Sequence, residues 1–179
     1  MVTEAARIAT LHSYAVMDTP EEPEFTALVA RIATTFSVRS AVISFIDDNR
    51  QWYKARYGVD GTSVPRVQSL CTHILESDDT TVLPDARQHP TFRDNIHVAC
   101  EGGVRFYAAA PIKALNRARL GTVCLFDPRP RPEGMSERER RQLSSFAAQV
   151  VELLEQRRNV IRGRAAGKIP AVPPLPSAG

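Results

Sequence analysis

Two runs, Val104–Pro111 and Leu120–Asp127, constrain this chain more than any other feature. Val104-Arg105-Phe106-Tyr107-Ala108-Ala109-Ala110-Pro111 and Leu120-Gly121-Thr122-Val123-Cys124-Leu125-Phe126-Asp127 are rich in β-branched, aromatic and small apolar residues. Between them lies a polar, basic connector, Lys113–Arg119. Such a pair predicts neighbouring antiparallel strands. The polar–apolar alternation is imperfect in both runs, as in strands at the middle of a sheet with both faces covered. Gly121 and the Ala108–Ala110 triplet leave room for a helix or a ligand to approach the sheet closely. Arg105 and Tyr107 stand two apart and so share a face. The hairpin is expected to floor a small-molecule pocket.

At 179 residues the chain is long enough for one domain with a real core. A hydrophobic share of 43% and a charged share of 24% are those of an ordinary globular protein. The net charge of +3 is carried by the last stretch, residues 161–179, which holds Arg162, Arg164 and Lys168 and no acid. A neutral body with a short basic tail lacks the clustered basic face that nucleic acid requires, so no nucleic-acid partner is expected. Arg138, Arg140 and Arg141 alternate with Glu137 and Glu139, which reads as a solvated helix surface. No apolar run approaches the length of a membrane span, and the first residues lack a secretory signal. A cytoplasmic protein without membrane contact is the expectation. The three widely spaced cysteines do not form a disulfide framework.

Taken in order, Glu4–Val16 reads as a helix. A second helix is expected to start at Thr19-Pro20 and run through Phe25, Leu28, Val29, Ile32, Ala33 and Phe36. Ser40–Ile46 and Gln51–Arg56 form a hairpin around Asp47-Asp48-Asn49-Arg50. Gly58–Val67 reads as loop, Ser69–Glu76 as a short helix and Thr80–Leu83 as a short strand. Asn95–Gly103 is expected to be a loop emptying onto the central hairpin, a natural position for a binding lid. Ser136-Glu137-Arg138-Glu139 is a capping box, and its helix is expected to reach about Arg158. From Gly163 onward the prolines and small residues predict a disordered tail. The resulting division is a domain over 1–160 and a Pro-rich basic tail over 161–179.

Several segments together resemble the GAF domain, in particular the sensor modules at the front of bacterial histidine kinases and cyclic-dinucleotide enzymes. They are Tyr14–Glu21, Ser44–Asp47 with Arg50–Lys54, Pro65-Arg66 with Ser69-Leu70-Cys71, Pro84-Asp85-Ala86, Pro90–Asn95, Arg105–Ala108 and Leu120–Asp127. The resemblance covers about residues 7 to 157. It implies an α+β, GAF/PAS-like fold with about six antiparallel strands. Helices from the two chain ends would pack on one face, and a short helix and a loop would cover a pocket on the other. It also implies a homodimer through the terminal helices. Such modules usually feed a kinase or cyclase, whereas here a Pro-rich tail follows. The expectation is therefore a stand-alone sensor or regulatory module that binds an unidentified small molecule and signals to a separate protein. Fold alone names neither the ligand nor a cofactor.

The candidate ligand-binding residues are Trp52, Cys71, His73, Asp94, Asn95, Arg105, Tyr107 and Thr122. Arg105 could clamp a carboxylate or phosphate, or pair with Asp85 or Asp94 to hold the loop to the sheet. Trp52 could wall the pocket or cover the sheet. Cys71 and His73 stand two apart on a helix and do not face one another, so no metal set is expected there. Near a helix start, Cys71 is either a reactive thiol or a buried apolar residue. Cys124 is expected to pack in the core. The segment His97–Gly103 is similar to the active-site loop of free methionine-(R)-sulfoxide reductase, a GAF-fold enzyme. That resemblance implies an alternative in which Cys100 attacks the sulfoxide, Cys71 resolves and Glu101 assists. This chain lacks a further cysteine expected upstream of Cys71. A third alternative is a dimerisation scaffold without ligand.

Overall fold

A computed structural model of the chain describes residues 2–167. The two apolar runs form strands β5 (Phe106–Lys113) and β6 (Arg119–Asp127). They pair antiparallel, with Phe106 opposite Asp127 and Ile112 opposite Gly121. On the other side of β6 lies β1 (Ser40–Ile46), followed by β2 (Arg50–Tyr57). Asp47 makes the β1–β2 turn: its Oδ1 accepts from the backbone N–H groups of Asn49 and Arg50, both at 2.9 Å. The edges are the short strands β3 (Ser63–Pro65) and β4 (Thr81–Leu83). The order is β3-β2-β1-β6-β5-β4, with every pairing antiparallel. The six-stranded α+β architecture agrees with the expectation. The sixth strand, β3, falls inside Gly58–Val67, a segment expected to be loop. It is brief and ends on a proline, which an edge strand accommodates.

Both faces of the central strands are buried, which explains their broken alternation. Phe106, Ala108, Ala110 and Ile112 of β5 join the larger core on the back. Tyr107 and Ala109 face the smaller front cluster with Cys124. Gly121 leaves room for neither a helix nor a ligand. A Cβ there would collide with the Ser44 carbonyl oxygen and lie 2.7 Å from the Phe45 Cα, so it is β1 that approaches closely.

The back carries α2 (Pro23–Phe36) and α5 (Glu137–Ala165), joined at one end by α1 (Glu4–Ser13) through Leu11. α5 opens with the expected capping box: Ser136 Oγ accepts from Glu139 N at 3.3 Å and Glu139 Oε2 from Ser136 N at 2.8 Å. Three helix boundaries differ from expectation. α2 begins at Pro23, not Thr19-Pro20, because Lys54 holds residues 19–22 as a loop. Its ammonium donates to Thr19 Oγ1 (2.9 Å), the Pro20 carbonyl (2.8 Å) and Glu22 Oε1 (2.8 Å). α1 stops at Ser13, short of Val16, and Ala15 and Asp18 adopt left-handed backbone conformations at φ 48° and 57°. At the other end, α5 passes Arg158 and continues to Ala165. A glycine inside a helix costs about 1 kcal/mol, which does not end this one at Gly163. The tail expected from Gly163 is thus helical through Ala165, and its part from residue 168 lies outside the described residues.

The front is covered by α3 (Leu70–Ile74), capped by Ser69 Oγ accepting from Thr72 N at 3.1 Å, and by the segment before β5. That segment, expected to be loop, holds a single helical turn, α4 (Ile96–Ala99), with Val98 fully buried. Among the described residues no helix is long and apolar enough to cross a membrane.

Candidate functional site

A cavity of about 220 Å³ lies on the front of the sheet, between its strands, α3 and the α4 segment. Its apolar wall comes from Val42, Val59, Val64, Leu70, Val104 and Phe126. Its polar groups are Gln51, Tyr53, Asp60, Ser69, Cys71, His97, Tyr107 and Cys124. It reaches solvent beside Asp60, which is exposed.

Gln51, Ser69, Cys71 and Tyr107 form a buried network that continues beneath the cavity through Ser44 and Thr122. Gln51 Nε2 donates to Ser44 Oγ (2.8 Å) and to Cys71 Sγ (3.0 Å), while its Oε1 accepts from Ser69 Oγ (2.6 Å). Cys71 Sγ also lies 3.0 Å from the Tyr107 hydroxyl. Ser44 continues to Thr122, with their hydroxyls 3.4 Å apart. Each polar side chain of this network thus has a partner, as burial demands. His97 differs: its Nε2 is buried without one.

Burial alone would push the Cys71 thiol up, but hydrogen bonds from Cys124, Thr122, Tyr107 and Gln51 outweigh it and bring it down to about 7. Cys124 is raised, first by its hydrogen bond to Cys71 and then by burial. Tyr107 is raised chiefly by burial.

Of the eight candidate residues, Cys71 and Tyr107 line the cavity, and Thr122 lies beneath it in the same network. The others go elsewhere. Trp52 pairs with Phe45 on the back of the sheet, with the Lys54 ammonium 6.0 Å from its ring, so it covers the sheet and does not line this cavity. His73 is exposed and packs edge-on against Phe92 at 5.3 Å. Asp94 is exposed and pairs with Arg93 at 3.6 Å. Asn95 caps α4, accepting from His97 N and donating to the Gln68 carbonyl, both at 2.9 Å. Arg105 holds the loop, through carbonyls in place of the expected Asp85 or Asp94. It donates to the Val98 oxygen at 2.7 Å and the Cys100 oxygen at 3.2 Å. Arg105→Gln is expected to cost about 2 kcal/mol, as for charge-assisted hydrogen bonds, and to speed amide exchange at residues 98–103. Unchanged protection there would mean that the packing of Val98 alone secures the loop. Cys100 and Glu101 are exposed on this loop and do not line the cavity in which Cys71 is buried.

The residues missed were Gln51, Tyr53, Asp60, Ser69 and His97. Cys124 packs in the front core cluster, as expected, and also borders the cavity. One signal was available for Gln51: it adjoins Trp52, so only one of the two can face the front. Which one does depends on register, since a one-residue slip exchanges the faces.

A GAF domain model matches residues 20–154. The chain belongs to the GAF domain family. This GAF domain is 32% identical over 148 residues to the cyclic di-GMP phosphodiesterase PA2567 of Pseudomonas aeruginosa, an alignment covering 83% of this chain and 25% of that protein. The chain thus spans about a quarter of its curated relative. Among solved structures it resembles the GAF domain of an Acinetobacter phosphoenolpyruvate-protein phosphotransferase, with TM-score 0.62, 15% identity and coverage of 93% and 98% of the two chains. It also resembles type II free methionine-R-sulfoxide reductase from Thermoplasma acidophilum, with TM-score 0.60, 14% identity and coverage of 74% and 91%. At these identities the likeness is one of fold.

Proposed function

We propose that this GAF domain is a sensor or regulatory module that holds a small polar molecule in the front cavity. The observation that carries the reading is the buried, unpartnered His97 Nε2 beside the hydrogen-bonded network of Gln51, Ser69, Cys71 and Tyr107. A buried nitrogen left without a partner costs free energy, and a ligand that hydrogen-bonds to it removes that cost. Pockets for drug-sized ligands occupy roughly 300–1,000 Å³, so 220 Å³ favours a molecule of about amino-acid size. It argues against a cyclic dinucleotide, the substrate in the relative's name. Signalling would run through the terminal helices to a second copy of the chain or to a separate protein. The exposed Val160 and Ile161 near the end of α5 support that role.

The test is a thermal-shift screen of the purified chain with amino acids, small carboxylic acids, nucleobases, cyclic nucleotides and haem, joined to native mass spectrometry for co-purified molecules. A small polar compound is expected to raise the melting temperature. His97→Ala should weaken that compound about tenfold, equivalent to one net hydrogen bond. If no compound shifts the melt and none co-purifies, the ligand reading fails and a dimerisation scaffold takes its place.

A further inference from the structure

Cys71 and Cys124 form a second constellation in the cavity. One sits in α3 and the other at the middle of β6, yet both line the same space and both are 2% exposed. They also belong to the same buried front cluster, in which α3 packs against β6. Cys71 is the better-positioned nucleophile, because Gln51 Nε2 and the Tyr107 hydroxyl each lie 3.0 Å from its sulfur. Gln51 cannot turn away, since Ser69 fixes its other end at 2.6 Å. Donors aimed at a sulfur stabilise its thiolate, and the thiolate is the form that reacts. The cavity opening beside Asp60 gives a small solute a route to it. Cys100, by contrast, is exposed, with its sulfur 3.9 Å from the His97 carbonyl oxygen.

We propose that Cys71 and Cys124 are a peroxide-responsive dithiol, with Cys71 the attacking sulfur, Cys124 the resolving one and a small hydroperoxide the oxidant. The Cys71 thiolate attacks one peroxide oxygen, the O–O bond breaks, and the departing alkoxide takes a proton to leave as an alcohol, or as water from hydrogen peroxide. Cys71 is then a sulfenic acid. The Cys124 sulfur attacks the Cys71 sulfur, the S–O bond breaks and water leaves with the Cys124 proton. Two thiols are oxidised by two electrons and one hydroperoxide is reduced by two. The disulfide removes the Cys71 sulfur as acceptor for Gln51 and partner for Tyr107, so oxidation rearranges the network that floors the cavity. This inference shares the cavity with the ligand reading and requires no ligand.

The experiment uses the full chain in the Cys100→Ser background, which removes the exposed thiol. Equimolar hydrogen peroxide, or tert-butyl hydroperoxide as the larger probe, is added and the thiols are counted after denaturation. The expected result is the loss of both remaining thiols, an intact mass lower by two hydrogens and a Cys71–Cys124 linked peptide. With Cys124→Ser as well, oxidation should stop at a Cys71 sulfenic acid that dimedone traps. Circular dichroism confirms that each variant folds, and the wild-type chain, digested after oxidation, provides the linked peptide without any substitution. Survival of both thiols in the folded protein overturns the proposal. So does a wild-type chain oxidised at Cys100 alone, or a linked peptide that forms only in urea. A failed ligand screen leaves these results standing, and a failed cross-link leaves the ligand reading standing.

Discussion

Gly121→Ala is expected to destabilise the fold severely. In most strands this change is mild or favourable, because glycine lacks a side chain to pack and gives up more backbone entropy than alanine. Here the sign is set by contact. The new methyl meets the Ser44 carbonyl and lies 2.7 Å from the Phe45 Cα, and both are backbone of a central strand. A flexible side chain could yield; two hydrogen-bonded strands between packed layers cannot. The expected loss is on the order of 4–5 kcal/mol, the range reserved for severe core disruption, against a typical stability of 5–15 kcal/mol for a domain. A urea melt followed by circular dichroism measures it. A midpoint equal to the wild type would show that β1 and β6 can separate there freely.

The second large effect is expected at Glu22. Its carboxylate binds the fully buried Lys54 ammonium at 2.8 Å and the Arg157 guanidinium at 2.9 Å. Glu22→Ala leaves the ammonium buried without a counter-ion. Breaking a buried pair in this way costs about 3–5 kcal/mol, and the low end applies because Thr19 and Pro20 still accept from Lys54. Adding Lys54→Met should recover most of the loss, since the pair itself contributes little beyond its own desolvation. Failure to recover would place the effect in the 19–22 loop instead. Burial would raise the Glu22 carboxyl, but hydrogen bonds from Lys54 and Arg157 outweigh it and hold it below the usual range. A lowered carboxylate contributes stability that is present above its unfolded value and fades as pH falls through the folded one. Acid should therefore weaken the wild type more than Glu22→Gln, which urea melts between neutral and acidic pH will compare.

The fold was legible because its signals are local. The β5–β6 runs, the Asp47 turn and the Ser136 capping box each name their structure within a few residues. β3 was not legible, because an edge strand of three residues exists only by pairing with β2. The start of α2 was misplaced for a similar reason. Thr19-Pro20 is sound capping chemistry, but a lysine on a distant strand holds that stretch as loop. The site was only partly legible. Cys71 and Tyr107 were found because the strands and the short helix placed them on the front. Whether Trp52 walled the pocket or covered the sheet stayed open, and Gln51 was missed, because adjacent strand residues face opposite ways and composition cannot tell which face is which. The role of Arg105 in holding the loop was anticipated as one alternative, but its carbonyl partners carry no mark in the sequence.

β2 has an unusual consequence for how this molecule can move. Its front is tied by Gln51 to α3 and to Cys71; its back is tied by Lys54, through Glu22, to Arg157 on α5. Apolar contacts slide at little cost, whereas directional hydrogen bonds break. The strand is therefore clamped from both sides within four residues of its length. A shift of β2 large enough to disturb the cavity must be absorbed at the Lys54 ammonium too. The sheet is then less a partition between pocket and helices than a shared hinge pin, gripped on one side by the polar network of the cavity and on the other by α5.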